Sequence, residues 1–266
     1  MNGKSSFFQQ YVVITGASSG IGKELAIQLS QQGARLILLA RRTDLLEEIK
    51  QSCLKHTDFC TAISLDLAED TSIRQAANAV INSCPQIDVL FNNAGISQRS
   101  KAIDTLFETE KRIMQVNYFG PVLFSKLLFP HLNKTHSGIV ITSSVVGLFA
   151  FPSRSTYAAS KHALHGYFNT LALEENDWLR ILIVCPGRIN TPISLSAVGA
   201  DGSAHGQMDP GQANGIAVAE CVKKMLSAYQ KNKKLVLIAR GERLLYWLSK
   251  YIPSLYRFIS QKISPV

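Results

Sequence analysis

Short runs that are apolar at nearly every position alternate with longer stretches of helical spacing along almost the whole chain. Tyr11–Thr15 (YVVIT), Arg35–Ala40 (RLILLA), residues 59–65, residues 87–91 (IDVLF), Gly138–Thr142 (GIVIT), residues 179–184 (LRILIV) and residues 234–238 (KLVLI) read as strands. Helical spacing fills residues 20–32, 43–54, 70–83, 103–116, 118–132, 156–175 and 215–229. Strands without polar alternation have no face to offer water. They belong to a parallel sheet covered on both sides, with a helix in each connection.

Right-handed crossovers then give an α/β fold, a single Rossmann-type doubly wound parallel sheet of about seven strands with helices on both faces. A length of 266 residues suits one such domain, and no repeat or composition break marks a second. We expect the domain over residues 1–239 and an extra C-terminal helical tail over 240–266. Residues 192–214 hold six glycines or prolines, and a loop that long reads as a lid. The five cysteines and six histidines form no ligand motif, so no metal is expected. The first ten residues lack the ~7–15-residue apolar core of a secretory signal. No apolar run reaches the ~18 residues of a membrane span. The expectation is a cytoplasmic protein with reduced thiols.

Thr15-Gly16-Ala17-Ser18-Ser19-Gly20-Ile21-Gly22 joins the first strand to the first helix. Glycines there permit a tight turn, and backbone N–H groups at a helix start favour a pyrophosphate. Gly16, Ser18, Ser19, Gly20, Ile21 and Gly22 are therefore candidate dinucleotide contacts, although an ordinary glycine turn has the same composition. An acid ~20 residues further on would bind a ribose 2′-hydroxyl. Here Arg41 and Arg42 follow the second strand, and two guanidiniums suit a 2′-phosphate, so the cofactor expected is NADP(H). Arg42 also reads as a solvated residue opening a helix, Arg41 less so. Asp66, beside Leu67, can bind adenine or cap the next helix. Asn93, Ala94 and Gly95 after the fourth strand either approach the cofactor or form a structural turn.

Tyr157 and Lys161 stand four apart near a helix start and share a face. A free tyrosine titrates near ~10. A neighbouring cation lowers that value and makes the phenol a usable acid and base. Ser144 follows a strand end, where ligands meet such sheets. Its hydroxyl can hold a substrate oxygen, with Ser143 as the competing candidate.

Taken together, the glycine loop, Asn92-Asn93-Ala94-Gly95, Asn117, Ser144, Tyr157 with Lys161, and Pro186-Gly187 before Thr191 resemble the classical short-chain dehydrogenase/reductase family over roughly residues 11–240. The resemblance implies Tyr157 as acid/base and Ser144 as the residue orienting the substrate oxygen. It implies Lys161 on the nicotinamide ribose, tuning Tyr157, and Asn117 supporting a water that relays protons to Lys161. Pro186, Gly187, Ile189 and Thr191 would line the nicotinamide. It implies a homodimer or homotetramer, with the helices near 118–132 and 156–175 between subunits. It also implies a small-molecule carbonyl or alcohol substrate.

The formal net charge is +9, and much of it collects late in the chain. From Lys231 onward, eight Lys or Arg face one acid, Glu242. A nucleic-acid binder would spread that charge over a recognition element, so no nucleic-acid partner is expected. Leu244, Leu245, Trp247, Leu248, Tyr251, Ile252, Leu255, Tyr256, Phe258, Ile259 and Ile263 are interleaved with these cations, and Pro253 breaks any helix there. Such a segment packs on its own body or a neighbouring subunit, or it lies in a membrane interface. With the long loop, it is similar to the 11-beta-hydroxysteroid dehydrogenase-like subgroup. That implies a bulky apolar, steroid- or lipid-like substrate near Phe149, Phe151 and Leu195. Two other functions remain open on sequence: an NADPH-binding sensor or scaffold with little turnover, and a membrane-surface protein acting through its tail.

Overall fold

The computed structural model describes residues 7–133, 137–175 and 177–263. Seven parallel strands form one sheet in the order β3-β2-β1-β4-β5-β6-β7. The strands are β1 Tyr11–Thr15, β2 Arg35–Ala40, β3 Cys60–Ser64, β4 Val89–Asn92, β5 Gly138–Thr142, β6 Arg180–Pro186 and β7 Leu235–Ile238. The order reverses between β1 and β4, which sit side by side with Val13 opposite Leu90. Two chain crossovers diverge there and leave a crevice at the carboxyl ends of the strands.

Alternate residues of each strand feed opposite layers. Val12 and Ile14 of β1, with Leu36 and Leu38 of β2, pack against α1 (Gly20–Ser30), α2 (Thr43–Cys53) and α8 (Val218–Gln230). Val13, Ile37 and Leu39 face the other way, onto α3 (Asp70–Ser83), α5 (Gly120–Leu128) and α6 (Ser155–Glu174). Both faces of the sheet are dry, which is why its strands carry no polar alternation.

Three regions differ from the sequence reading. The helices expected over 103–116 and 118–132 are α4 (Phe107–Met114) and α5, joined without a break by a π-helical turn, Gln115–Phe119. The helix expected from 215 starts at Val218. The loop over 192–214 carries a 3₁₀ turn at Pro192–Ser194 and a short helix, α7 (Pro210–Ala213). Val198 bridges both Gln98 and Ala204.

Beyond β7 come α9 (Glu242–Tyr251) and α10 (Pro253–Lys262), divided at Pro253. Leu245, Tyr246 and Tyr256 pack on a cluster of Val145, Val146, Phe149, Tyr157, Ala158 and Ala239. The Tyr256 hydroxyl donates to the Ala150 carbonyl, and its ring meets Phe149 edge-on at 6.0 Å. Leu244, Trp247, Tyr251, Ile252, Leu255 and Phe258 on the same two helices are exposed. Among the described residues, no helix is long and apolar enough to cross a membrane.

Candidate active site

A single cleft of about 1120 Å³ runs along the carboxyl ends of the strands, from the end of β2 to α9 and α10. Small-molecule sites usually measure ~300–1,000 Å³, so this one has room for two partners side by side. Its walls include Gly16, Ser18, Ser19, Gly20, Ile21, Arg41, Arg42, Asp66, Leu67, Asn93, Ala94, Gly95, Ser144, Tyr157, Lys161, Pro186, Gly187, Ile189 and Thr191.

At one end the glycine loop turns under α1. Gly16 and Gly20 have φ of 69° and 53°, which side chains disfavour. A Cβ on Gly16 would fall 2.8 Å from the Ala94 Cα, so the loop after β4 presses directly on the glycine loop. Gly22 does not line the cleft; a Cβ there would lie 2.2 Å from the Gly16 carbonyl oxygen. It is the close packing of loop on helix that this glycine permits. Ser19 caps α1 without a side-chain bond to its N–H groups, so the positive helix end faces the cleft. Arg42 folds back, and its Nη2 donates to the hydroxyls of Ser18 and Ser19, each at 3.0 Å. Arg41 is exposed at the cleft rim. Of the two, Arg42 is the more organised, the reverse of the emphasis that proximity to the strand suggested.

Asp66 caps its own turn: its Oδ1 accepts from the Ala68 N–H at 2.9 Å. Asn93 is a structural tie. Its Nδ2 donates to the Thr15 carbonyl at 3.2 Å and its Oδ1 accepts from the Thr142 hydroxyl at 3.2 Å. One amide thereby joins the ends of β1, β4 and β5. Both residues line the cleft while filling these local roles.

Midway along the cleft, Tyr157 and Lys161 stand on the first turns of α6. Burial pushes the Tyr157 phenol up; a hydrogen bond with Ser144 and the guanidiniums of Arg154 and Arg99 pull it back down. The Lys161 Nζ donates to the Thr142 carbonyl at 2.9 Å and sits 5.8 Å from the Tyr157 ring centroid. Burial lowers Lys161 to about 8. Arg154 and Arg99, absent from the sequence-derived set, are therefore cations that favour the phenolate, beside Lys161 on the helix that carries Tyr157. Ser144 and Ser143 both line the cleft but differ in their partners. Ser143 is buried, with its hydroxyl 2.9 Å from His165 Nε2, whereas Ser144 meets Tyr157.

Asn117 lies behind the cleft wall, in the π-helical turn, and is fully buried. Its Oδ1 accepts from the Ile96 N–H at 2.8 Å, and its Nδ2 donates to the Ile96 carbonyl and the Ser160 hydroxyl. A Cβ on Gly95 would lie 3.0 Å from Asn117 Oδ1 and 3.3 Å from Lys161 Nζ. Gly95 is what lets those two groups come close.

Other residues at the site carried no local signal. Gln98 is fully buried. Its Oε1 accepts from the Tyr157 N–H at 3.0 Å, while its Nε2 donates to Ser100, Thr105 and Ser155. It thus fixes the start of the helix that carries Tyr157. Arg99, Arg154 and Asp209 converge on the same side. Phe149, Phe151 and Leu195 do line the cleft, joined by Leu244, Leu245, Ile259 and Ile263 from the last two helices.

A family model described as short chain dehydrogenase matches residues 10–199. The chain is 40% identical over 236 residues to the bovine (Bos taurus) dehydrogenase/reductase SDR family member 7B, covering 86% of this chain and 73% of that protein. It is 38% identical over 259 residues to a dehydrogenase/reductase SDR family protein 7-like of Anopheles gambiae, covering 94% and 82%. Among solved structures, a short chain dehydrogenase/reductase from Burkholderia phymatum in complex with NAD superposes with a TM-score of 0.78, at 20% identity over 98% of each chain. An alcohol dehydrogenase from Thermococcus sibiricus complexed with 5-hydroxy-NADP gives 0.76 at 22% identity, over 87% of this chain and 96% of that one. At those identities the two structures establish the shared fold.

Proposed function

The chain belongs to the short-chain dehydrogenase family and is an oxidoreductase acting on CH–OH or C=O groups, and from that premise we propose an NADP(H)-dependent reductase of a bulky, largely apolar ketone or aldehyde. The residues at the adenosine end fit the phosphorylated cofactor. A glycine loop too tight for side chains meets a helix start whose N–H groups have no side-chain cap. Arg42 is held against that loop with no carboxylate in the place where a ribose diol would need one. When bound, NADP(H) exchanges a hydride with the substrate carbon. Gly16, Ser18, Ser19, Gly20, Ile21, Arg42, Asp66, Leu67, Asn93, Ala94 and Gly95 would hold its adenosine and phosphates. Lys161, Pro186, Gly187, Ile189 and Thr191 would hold the nicotinamide half.

Tyr157 carries the reading: its phenol is buried in the cleft wall, bonded to Ser144 and biased by two guanidiniums. Burial keeps it protonated at neutral pH, as reduction requires. The hydrogen bond and the cations keep the phenolate accessible once the proton has gone to the substrate oxygen. Ser144 directs that oxygen, and Lys161 steadies the charge that develops. Asn117, anchored on both ends of its amide, holds the backbone of Ile96 in place beside Lys161.

Leu244, Leu245, Ile259 and Ile263 give the far end of the cleft an apolar lining, which supports the bulky substrate. The outer face of α9 and α10 combines Trp247, Tyr251 and Phe258 with Lys250, Arg257 and Lys262. That pattern supports peripheral contact with an anionic membrane by a cytoplasmic protein. Exposed Phe107, Phe119 and Leu173 near α4, α5 and α6 support a homodimer or homotetramer through that side.

The test is NADPH oxidation by the purified protein across aliphatic and cyclic ketones, with Tyr157→Phe beside it. The variant is expected to lose about 10²–10⁴ of kcat while binding NADPH as before. A Tyr157→Phe protein that reduces the same ketone at the wild-type rate rules the assignment out.

A further inference from the structure

The segment that follows β6 is tied to two later parts of the chain. Pro186 pairs with Ile238 of β7, and the Gly187 N–H donates to the Ile238 carbonyl at 2.9 Å. There the ladder stops, and the next N–H finds a side chain instead. The Glu242 Oε1 accepts from the Arg188 N–H at 3.0 Å, and its Oε2 accepts from the Arg240 N–H at 3.2 Å. Glu242 is the first residue of α9 and the one acid from Lys231 onward. A Cβ on Gly187 would lie 3.0 Å from Glu242 Oε1 and 3.0 Å from the Ala239 Cβ. Glycine is therefore what lets the carboxylate come so close. From the other side, Gln212 of α7 donates through Nε2 to the Ile189 carbonyl and, at 3.3 Å, to the Thr191 hydroxyl. The Pro186 carbonyl accepts from the Ser144 hydroxyl at 3.4 Å. Gly187, Arg188, Ile189, Thr191, Gln212 and Glu242 all line the cleft. One turn along α9, Leu245 and Tyr246 pack on the cluster that includes Val146 and Tyr157, which braces the start of that helix against the reacting end of the cleft.

We propose that Glu242 is a positioning residue for the nicotinamide half of NADP(H). It hooks the last two helices onto residues 186–188, so that docking of the tail and binding of the nicotinamide favour one another. This rests on the cofactor reading above and gives the tail a part in it. A loose segment would have to be ordered when the nicotinamide binds, at a cost in affinity. Two backbone hydrogen bonds to one carboxylate order it beforehand, and bonds to an ionised acceptor are the strong kind. The linkage is reciprocal: a docked tail that tightens the nicotinamide is itself tightened by it, by the same factor. Glu242 touches neither the substrate oxygen nor Tyr157 in this scheme and acts through the backbone of Arg188.

The experiment titrates the full chain, by calorimetry, with NADPH and with adenosine 2′,5′-bisphosphate, the adenosine half of the cofactor without its nicotinamide. Glu242→Ala is expected to weaken NADPH about tenfold or more, the size of one hydrogen bond to a charged group, and to leave adenosine 2′,5′-bisphosphate within about twofold. Damaged folding would weaken both ligands alike. Glu242→Gln keeps one acceptor oxygen, so its NADPH affinity falls between wild type and Glu242→Ala; it decides the matter if the alanine variant does not fold. Trypsin reads the reciprocal effect at Arg243, Lys250 and Arg257, which are exposed. NADPH is expected to slow cleavage there in the wild type, adenosine 2′,5′-bisphosphate is not, and Glu242→Gln reduces the protection. Equal losses for the two ligands, or no loss for either, overturn the proposal while the cofactor reading stands, and so does tail cleavage that NADPH leaves unchanged. A wild-type chain that binds neither ligand overturns both.

Discussion

Replacing Arg42 by Gln should separate the two nicotinamide cofactors. The Arg42 guanidinium rests on the hydroxyls of Ser18 and Ser19 at 3.0 Å each, so its position at the cleft rim is set before any ligand arrives. A hydrogen bond to a charged group contributes ~1.5–3 kcal/mol. Arg42 is exposed, so solvent screening puts it near the lower end, about 1.5–2 kcal/mol. That corresponds to about a 10–30-fold loss of NADPH affinity. NADH has a neutral hydroxyl where NADPH has phosphate, so its affinity should stay within about twofold. Arg41→Gln makes the internal comparison: it makes no side-chain hydrogen bond among the described residues, and its effect on NADPH should be smaller. The assay is nicotinamide fluorescence during titration with each cofactor. Equal losses for NADPH and NADH would mean that Arg42 only braces the loop. No loss for either would mean that the 2′-phosphate reading is wrong.

The reduction rate should fall as pH rises through about 8, where buried Lys161 gives up its proton. The unfolded lysine keeps its proton to ~10.4, so between those values the unfolded state binds more protons and this group's contribution to stability rises with pH. A kcat profile and melting curves over the same range check both slopes; a rate that climbs through that window contradicts the role given to Lys161. Gly22→Ala places a Cβ 2.2 Å from the Gly16 carbonyl, where backbone must give way. A cost of about 1–3 kcal/mol is expected, read as a drop of several degrees in Tm together with weaker NADPH binding. An unchanged Tm would show that α1 can slide on the loop.

Much of this was legible because the signals were local. A strand buried on both faces spells itself out as a run such as ILLA, and Tyr157 with Lys161 need only the pitch of a helix to meet. Asn93 was legible as a position but not as a role. Only the parallel placement of β1, β4 and β5 shows its amide tying three strand ends together. Arg99 and Asp209 are 110 residues apart, and neither has a neighbour in sequence that announces the other. The sheet order brings their loops to one end of the crevice. Gln98 likewise reads as an ordinary loop residue until the start of α6 is seen resting on its amide. The last helices gave an amphipathic pattern that fitted two surroundings. The structure turns Leu245 and Tyr256 inward onto the body and leaves Trp247 and Phe258 exposed.

The π-helical turn at Gln115–Phe119 amounts to one residue too many in an otherwise continuous helix. Such turns are uncommon and poorly bonded, and they concentrate at working sites. Deleting one residue there would let α4 run into α5 as regular helix, with better backbone geometry. It would also rotate everything beyond by about 100°, carrying the Asn117 amide away from Ile96 and Ser160. The same rotation would swing Phe124 and Leu128, fully buried against the sheet, off the core, so the shortened chain would lose stability as well as activity. A lineage that loses this residue would forfeit core packing and site together in a single step, and regaining the turn would require an insertion at the same place.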